Sequence, residues 1–174
     1  LIVSGMIFVG WRHFESTKLG IAAAVLYLLL PYTAMMTGRV DHALPGAFIV
    51  WAVGAYRRPV IAGSLIGLAI GIIYYPIFLL PLWCSFYWER GVRRFATGVA
   101  AALAALVVGL WCTSPTLAIF AGQLRQMFGW IFPSSVSLEG FWAFPSYDPV
   151  FRLPVLAAFL VMMATMAIWP SPKH

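Results

Sequence analysis

Charged residues are scarce in this sequence, and their scarcity excludes several classes of protein. Charged side chains make up 9% of the 174 residues, whereas a soluble domain carries roughly 25%. Hydrophobic side chains make up 63%, and the mean hydropathy is +0.92. This composition excludes a disordered chain, a collagen and an ordinary cytosolic enzyme, and it predicts a polytopic membrane protein.

Cysteine is also scarce, since the chain contains only Cys84 and Cys112. Two cysteines are too few for a disulfide framework. The predicted helices put them at opposite membrane faces, whereas a disulfide requires Cα atoms within about 7 Å of each other. We therefore predict two free, buried thiols that act as small hydrophobic side chains.

The motifs of metal and cofactor chemistry are missing as well. The sequence has no Gly-x-Ser-x-Gly, no Walker loop, no dinucleotide fingerprint and no His/Cys cluster with metal-ligand spacing. No metal and no cofactor are therefore predicted. The chain begins with Leu1 inside an apolar run, without a start Met or a positively charged leader, which predicts a piece of a longer polypeptide and no cleaved signal peptide.

What the sequence does contain is a series of long apolar stretches. We predict each to be a helix, because an open strand cannot satisfy its backbone hydrogen bonds in lipid. The expected fold class is an all-α, polytopic transmembrane bundle of about seven spans in contact with membrane lipids. The stretches are Leu1–Gly10, Leu19–Met36, Ala43–Tyr56, Val60–Ile73, Pro76–Trp88, Phe95–Cys112 and Leu153–Trp169.

The stretch Val60–Trp88 fits either one long tilted helix or a short helical hairpin. A turn near Tyr74-Tyr75-Pro76 places Arg57/Arg58 and Arg90/Arg93/Arg94 on one side of the membrane, so the positive-inside rule favours the hairpin. Pro76 supports the break, because proline disfavours helix at the preceding residue and can start a new one. We predict that both arginine loops are cytoplasmic. The net charge of +6 is spread over separate loops, which indicates topology and excludes nucleic acid as a partner.

The long segment Thr113–Arg152 is predicted to be external. Apolar residues at helical spacing predict an amphipathic interfacial helix that starts at Ser114-Pro115, and an aromatic, proline-rich loop follows it. This region is either a lid that seals the bundle or a cover over a lipid-facing substrate groove. The chain thus divides into a transmembrane core at 1–112, the external region at 113–152, and a last helix with a tail at 153–174. The apolar residues of the interfacial helix are Leu117, Phe120, Leu124, Met127, Phe128 and Ile131.

Gly63, Gly67 and Gly71 recur at every fourth residue, on one face of one predicted helix. Such a face lets a second helix approach closely, so these glycines are predicted to be helix-packing residues.

The most polar short loop is Thr37–His42, and it supports two interpretations. In the first, Gly38 ends one helix and Asp41 caps the next. In the second, Arg39 binds a phosphate, and Asp41 or His42 binds a sugar hydroxyl or acts as a base.

Tyr74 and Tyr75 occupy the proposed external turn. They are either an interfacial aromatic pair beside a helix break or the rim of a substrate site, with hydroxyl groups that face phosphate or sugar.

The run from Gly20 to Arg94 resembles the membrane core of C-type glycosyltransferases that use polyprenyl-phosphate sugars. The similarity is closest to glycosyltransferase family 87 and to the catalytic subunit of GPI mannosyltransferase I. Three segments carry the resemblance: LYLLLPYTAMMTGRVD, RRPVIAGSLIGLAIGIIYYPIFLLPLW and WERGVRRF.

The resemblance implies transfer of a hexose from a polyprenyl-phosphate carrier to an acceptor on the external face. It also implies a catalytic acidic residue in a first external loop, which would precede Leu1. GPI mannosyltransferase I has a Lys shortly before its Tyr-Pro pair, where this chain has Ile73. Arg39 is the candidate to supply that positive charge, Tyr74 and Tyr75 would line the groove, and Asp41 and His42 are the candidate catalytic residues.

The glycine face and the aromatic surface also permit a different function. The chain could be a non-catalytic accessory or structural subunit of a larger photosynthetic, respiratory or transport complex, with other membrane subunits as partners. A small transporter ranks last, because the sequence shows neither an internal repeat nor a polar site in the middle of a span.

Overall fold

The computed structural model describes residues 1–36, 39–128 and 152–168, and the regular structure within these ranges is helical. No strand occurs in this part of the chain. A short 3₁₀ helix, Tyr75–Leu79, interrupts the α-helices. These are α1 (Ile2–Phe14), α2 (Thr17–Leu29), α3 (Pro31–Met36), α4 (Val40–Gly54), α5 (Pro59–Ile72), α6 (Leu80–Tyr87), α7 (Val92–Thr113), α8 (Leu117–Phe128) and α9 (Arg152–Ile168).

A tight reversal joins α1 to α2. Glu15 adopts the left-handed conformation with φ of 51°, and the Ser16 hydroxyl accepts a hydrogen bond from the Leu19 amide at 3.3 Å, which caps α2. The prediction of one helix over Leu19–Met36 was wrong, because α2 stops at Leu30, which is extended. Pro31 accounts for the break, since proline disfavours the helical conformation in the residue before it.

The chain reverses direction between α5 and α6, at the break that the sequence predicts beside Pro76. Ile73 is extended, with φ of −147° and ψ of 149°, and the 3₁₀ helix leads from it into α6. The hydroxyl of Tyr87, at the end of α6, donates a hydrogen bond to the backbone carbonyl of Tyr56, which lies just before α5. This bond holds the returning helix beside the start of α5.

The packing of the helices defines two ends of the bundle. α1 and α4 run parallel, because Gly5 meets Val50 and Trp51 while Gly54 meets Phe8. α5 and α7 also run parallel, from Gly63 beside Phe95 to Gly71 beside Leu106. α4 and α5 are antiparallel neighbours joined by residues 55–58.

One end, which we call the arginine end, therefore carries both arginine-rich bends, Arg57/Arg58 and Arg90/Arg93/Arg94. The other, which we call the tyrosine end, carries Arg39 at the start of α4 and Tyr74 and Tyr75 beyond α5.

Glycines make the closest contacts between helices. A Cβ atom at Gly67 would lie 2.7 Å from the Val99 carbonyl oxygen, and one at Gly63 would overlap the Phe95 carbonyl. Across the same interface, the Ser64 hydroxyl donates to the Gly98 carbonyl at 3.4 Å. The backbones of α5 and α7 thus touch directly.

The outward surface of the bundle is apolar. Large hydrophobic side chains such as Leu26, Leu29 and Val108 are more than half exposed. Among the residues that the structure describes, one helix, Val92–Thr113, is long and apolar enough to cross a membrane, whereas the other apolar helices are shorter than such a span. The count of seven spans stays a prediction.

Two local predictions need correction. Cys84 and Cys112 are both free thiols, but Cys112 is exposed and Cys84 is only half-buried, because α7 presents Cys112 on its outer apolar side. α8 begins two residues later than expected, since the Thr116 hydroxyl, and not Pro115, starts it by accepting from the Ile119 amide at 3.3 Å. The predictions for Gly38 and for the aromatic loop at 129–151 lie outside the described residues.

Replacing Tyr87 by phenylalanine is expected to lower the free energy of unfolding by about 1–2 kcal/mol, because the Tyr56 carbonyl loses its donor in a buried position. The measurement is thermal unfolding of the purified protein in detergent. Tyr27→Phe is the matched control, since the Tyr27 hydroxyl makes no hydrogen bond among the described residues. Equal stability of the two variants would contradict an anchoring role for Tyr87.

Candidate functional site

The tyrosine end begins with the first turn of α4. Arg39 is exposed and occupies the N-cap position with φ of −102° and ψ of 104°, and its side chain makes no capping hydrogen bond. The prediction that Asp41 caps this helix was wrong, because α4 starts at Val40, so Asp41 and His42 already lie within its first turn. The N-terminus of α4 adds the positive end of the helix dipole to the charge of Arg39.

Pro45 modifies this first turn. It lies inside α4 and is fully buried. Because proline has no amide N–H, it cannot donate the helical hydrogen bond to the carbonyl of Asp41, four residues earlier. The start of α4 therefore combines amide donors that the helix does not use with a carbonyl that has lost its helical donor.

The turn after α5 supplies the two tyrosines. Tyr74 is half-buried, and its ring packs edge-on against Phe78 with the centroids 6.3 Å apart. Phe78 packs in turn against Phe159 of α9 at 5.9 Å. Tyr75 is 38% exposed, whereas Pro76 beside it is fully buried. The turn is thus fixed on its inner side and open on its outer side.

The antiparallel packing of α4 and α5 brings the predicted site residues to one end of the bundle. Arg39 and the turn that carries Tyr74 and Tyr75 lie there together with the backbone of Asp41 and His42. Gly63, Gly67 and Gly71 lie elsewhere, along the contact with α7. Among the side chains that the structure describes, Arg39 is the cation of this end.

Sequence reasoning missed a large cavity at the arginine end. It measures about 1110 Å³ and lies between α1, α6 and α9. Its wall includes Trp83, Phe86 and Arg90, which recur at intervals of three and four residues. Trp83 and Phe86 lie on one face of α6, and Arg90 lies in the turn that follows it, so this spacing is the signal that could have revealed the wall.

A stack of aromatic rings supports this wall. Trp83 lies parallel to Phe95 at 5.9 Å and to Tyr87 at 6.0 Å, and Tyr87 lies 5.0 Å from Phe95. Phe95 and Tyr87 are almost completely buried. Offset stacking of this kind stabilises aromatic pairs beyond the burial of their area, so the cavity has one rigid side.

In the described ranges, no three His, Cys, Asp or Glu residues come together as possible metal ligands. Comparison with known protein families gives a match over almost the whole chain. The sequence model of the family described as Glycosyltransferase family 87 matches residues 1–172. No curated protein and no solved structure matches the chain. The resemblance over Gly20–Arg94 is thereby confirmed and extended to almost all of the chain.

Proposed function

Because the chain belongs to glycosyltransferase family 87, we propose that it is a membrane enzyme that transfers a hexose from a polyprenyl-phosphate carrier to an acceptor hydroxyl. The family match over residues 1–172 is the observation that carries this function. The proposed site is the tyrosine end, and the positive-inside rule puts that end on the external face, opposite the arginine bends.

In this proposal Arg39 binds the donor phosphate. When the acceptor hydroxyl attacks the anomeric carbon, the bond from that carbon to the phosphate oxygen breaks and the phosphate leaves with additional negative charge. A guanidinium forms charge-assisted hydrogen bonds with such an oxygen, and it stabilises the charge as it develops. The exposed position of Arg39 at the N-terminus of α4 supports this role.

The acceptor side of the proposal uses the first turn of α4. Either Asp41 or His42 would accept the proton of the attacking hydroxyl, which is the task of a general base. Tyr74 and Tyr75 would form the rim, where phenol hydroxyls can donate hydrogen bonds to phosphate or sugar oxygens. The open outer side of their turn supports this assignment.

The test is turnover of a polyprenyl-phosphate hexose by the protein in membranes. Arg39→Ala is expected to lower kcat/KM by about 10–100-fold, because it removes a charge-assisted contact with the leaving phosphate. Arg39→Lys should recover part of this loss, since it retains the charge but not the paired donors.

Arg58→Ala is a closely matched control. Arg58 is also an exposed N-cap residue whose side chain makes no capping hydrogen bond, but it starts α5 at the arginine end. Its replacement should leave turnover unchanged. Equal turnover of the Arg39→Ala variant and the unchanged protein would remove Arg39 from the site, and absence of turnover in the unchanged protein would contradict the proposed reaction.

A further inference from the structure

The cavity at the arginine end has polar groups on only part of its wall. These are His13, Tyr56, Cys84, Ser85, Glu89 and Arg90. The Ser85 hydroxyl already donates its hydrogen bond within the protein, to the Ala167 carbonyl of α9. The remaining wall is apolar and largely aromatic, so any ligand of this cavity must be amphiphilic.

Two guanidinium groups are held by aromatic rings: that of Arg90, which lines the cavity, and that of Arg57, which follows the lining residue Tyr56 in the chain. Arg90 lies with its central carbon 4.9 Å from the Phe86 ring centroid, and Arg57 lies 5.6 Å from that of Tyr56. The Nε–H of Arg57 also donates to the Tyr56 hydroxyl at 3.0 Å. The cation–π contact restricts the Arg90 side chain before any ligand arrives, which lowers the entropy cost of binding an anion there.

His13 adds a further polar group to the wall. Its ring packs edge-on against Tyr56 at 4.8 Å, and its Nε2 atom is buried without a hydrogen-bond partner in the described ranges. Buried polar atoms in proteins are nearly always hydrogen-bonded. A ligand with a polar group at this point of the wall could therefore form the hydrogen bond that the Nε2 atom of His13 lacks.

An apolar groove of about 290 Å³ adjoins this cavity. Val9, Phe14 and Val53 line both, so the two spaces share one wall. The groove lies between α1, α2 and α4 and is lined by apolar side chains and glycines, including Met6 and Leu19. Its dimensions and chemistry suit a hydrocarbon chain.

The excess of positive charge around the cavity favours a negatively charged ligand. Among the described side chains the arginine end carries far more cations than anions. The cations are Arg12, Lys18, Arg57, Arg58, Arg90, Arg93 and Arg94, and the anions are Glu15 and Glu89. Such a surface attracts negatively charged lipid headgroups.

We infer that the cavity and its groove bind an anionic phospholipid of the bilayer, with the phosphodiester at Arg90 and one acyl chain along Val9, Phe14 and Val53. This site is at the opposite end from Tyr74 and Tyr75, so it is separate from the proposed sugar-transfer site. Glu89, also on the wall, weakens the binding of an anion because the two like charges repel.

The experiment measures lipid binding to the full chain by native mass spectrometry, after exchange into a detergent that removes bound lipid. Phosphatidylglycerol and phosphatidylcholine with the same acyl chains are added in separate titrations, and inorganic phosphate in a third. We expect phosphatidylglycerol to bind at least about tenfold more tightly than phosphatidylcholine. Both lipids carry a phosphate, but only phosphatidylglycerol has a net negative charge that the guanidinium group attracts. Inorganic phosphate should not displace it, since the groove contributes to affinity only for a lipid.

Three variants locate the site. Arg90→Gln is expected to weaken phosphatidylglycerol binding about tenfold, Arg90→Lys to weaken it less, and Glu89→Gln to strengthen it. Arg93→Gln is the matched control, because Arg93 is exposed at the same end, carries the same charge and does not line the cavity.

Equal losses in Arg90→Gln and Arg93→Gln would overturn the inference in favour of non-specific surface attraction. Equal binding of the two lipids, or displacement by inorganic phosphate, would also overturn it. The lipid-binding measurements do not involve glycosyl transfer. A negative result in them therefore does not contradict the proposed reaction, and a lack of turnover does not contradict the proposed lipid site.

Discussion

Replacing Gly63 by alanine is expected to lower the free energy of unfolding by about 3 kcal/mol, the upper part of the range for overpacked sites. The added methyl group would overlap the Phe95 carbonyl oxygen and approach the Val99 amide nitrogen to 3.1 Å. Both atoms belong to the backbone of α7, so no side chain can rotate away and the two helices must separate. Thermal unfolding in detergent, together with the yield of monodisperse protein, measures the effect.

Gly109→Ala is the control for this prediction. Gly109 also lies in a helix, α7, but a Cβ atom there meets nothing within 4 Å. Alanine should be tolerated there or should raise stability by roughly 0.5–1 kcal/mol, because glycine costs conformational entropy within a helix. If both variants unfolded at the same temperature, the close approach of α5 and α7 would be wrong.

The second large effect is expected at the first turn of α4. If Asp41 is the general base of the proposed transfer, Asp41→Asn should lower kcat by about 10²–10⁴-fold, because an amide cannot accept the acceptor proton. The fold of the variant should be unchanged, since the N-cap position belongs to Arg39 and not to Asp41. The measurement is turnover of polyprenyl-phosphate hexose at saturating donor.

His42→Gln separates the two candidates for this role. A loss of turnover in this variant alone would assign the proton to His42. Full turnover in both variants would exclude the first turn of α4 as the source of the base.

The features that the sequence predicts well are those with local causes. The apolar stretches indicate helices, and Pro76 indicates the reversal after α5, because each signal acts within a few residues. Pro31 is an equally local signal, but the continuous hydropathy of Leu19–Met36 concealed the break that it causes.

The contacts that the sequence conceals are those between distant segments. Gly10 and Gly20 meet only because Glu15 and Ser16 reverse the chain between them, and they share no four-residue repeat. Gly98, which touches the Val60 carbonyl, stands in a helix without the periodic glycines of α5.

The cavity of the arginine end was hidden for the same reason. It requires α9 to pack against α6, and α9 follows α6 in the chain only after the long segment that includes α7 and α8. At the tyrosine end, by contrast, the short connection between α4 and α5 is enough to place Arg39 near the level of Tyr74.

The parallel arrangement of α5 and α7 has a consequence for synthesis of the protein on the ribosome. α6 must be made between them, so the stripe of Gly63, Gly67 and Gly71 is complete well before its partner Phe95 exists. During that interval α5 has its preceding neighbour α4 but no helix to cover the stripe. The tightest contact of the core is therefore one of the later contacts that the growing chain can form.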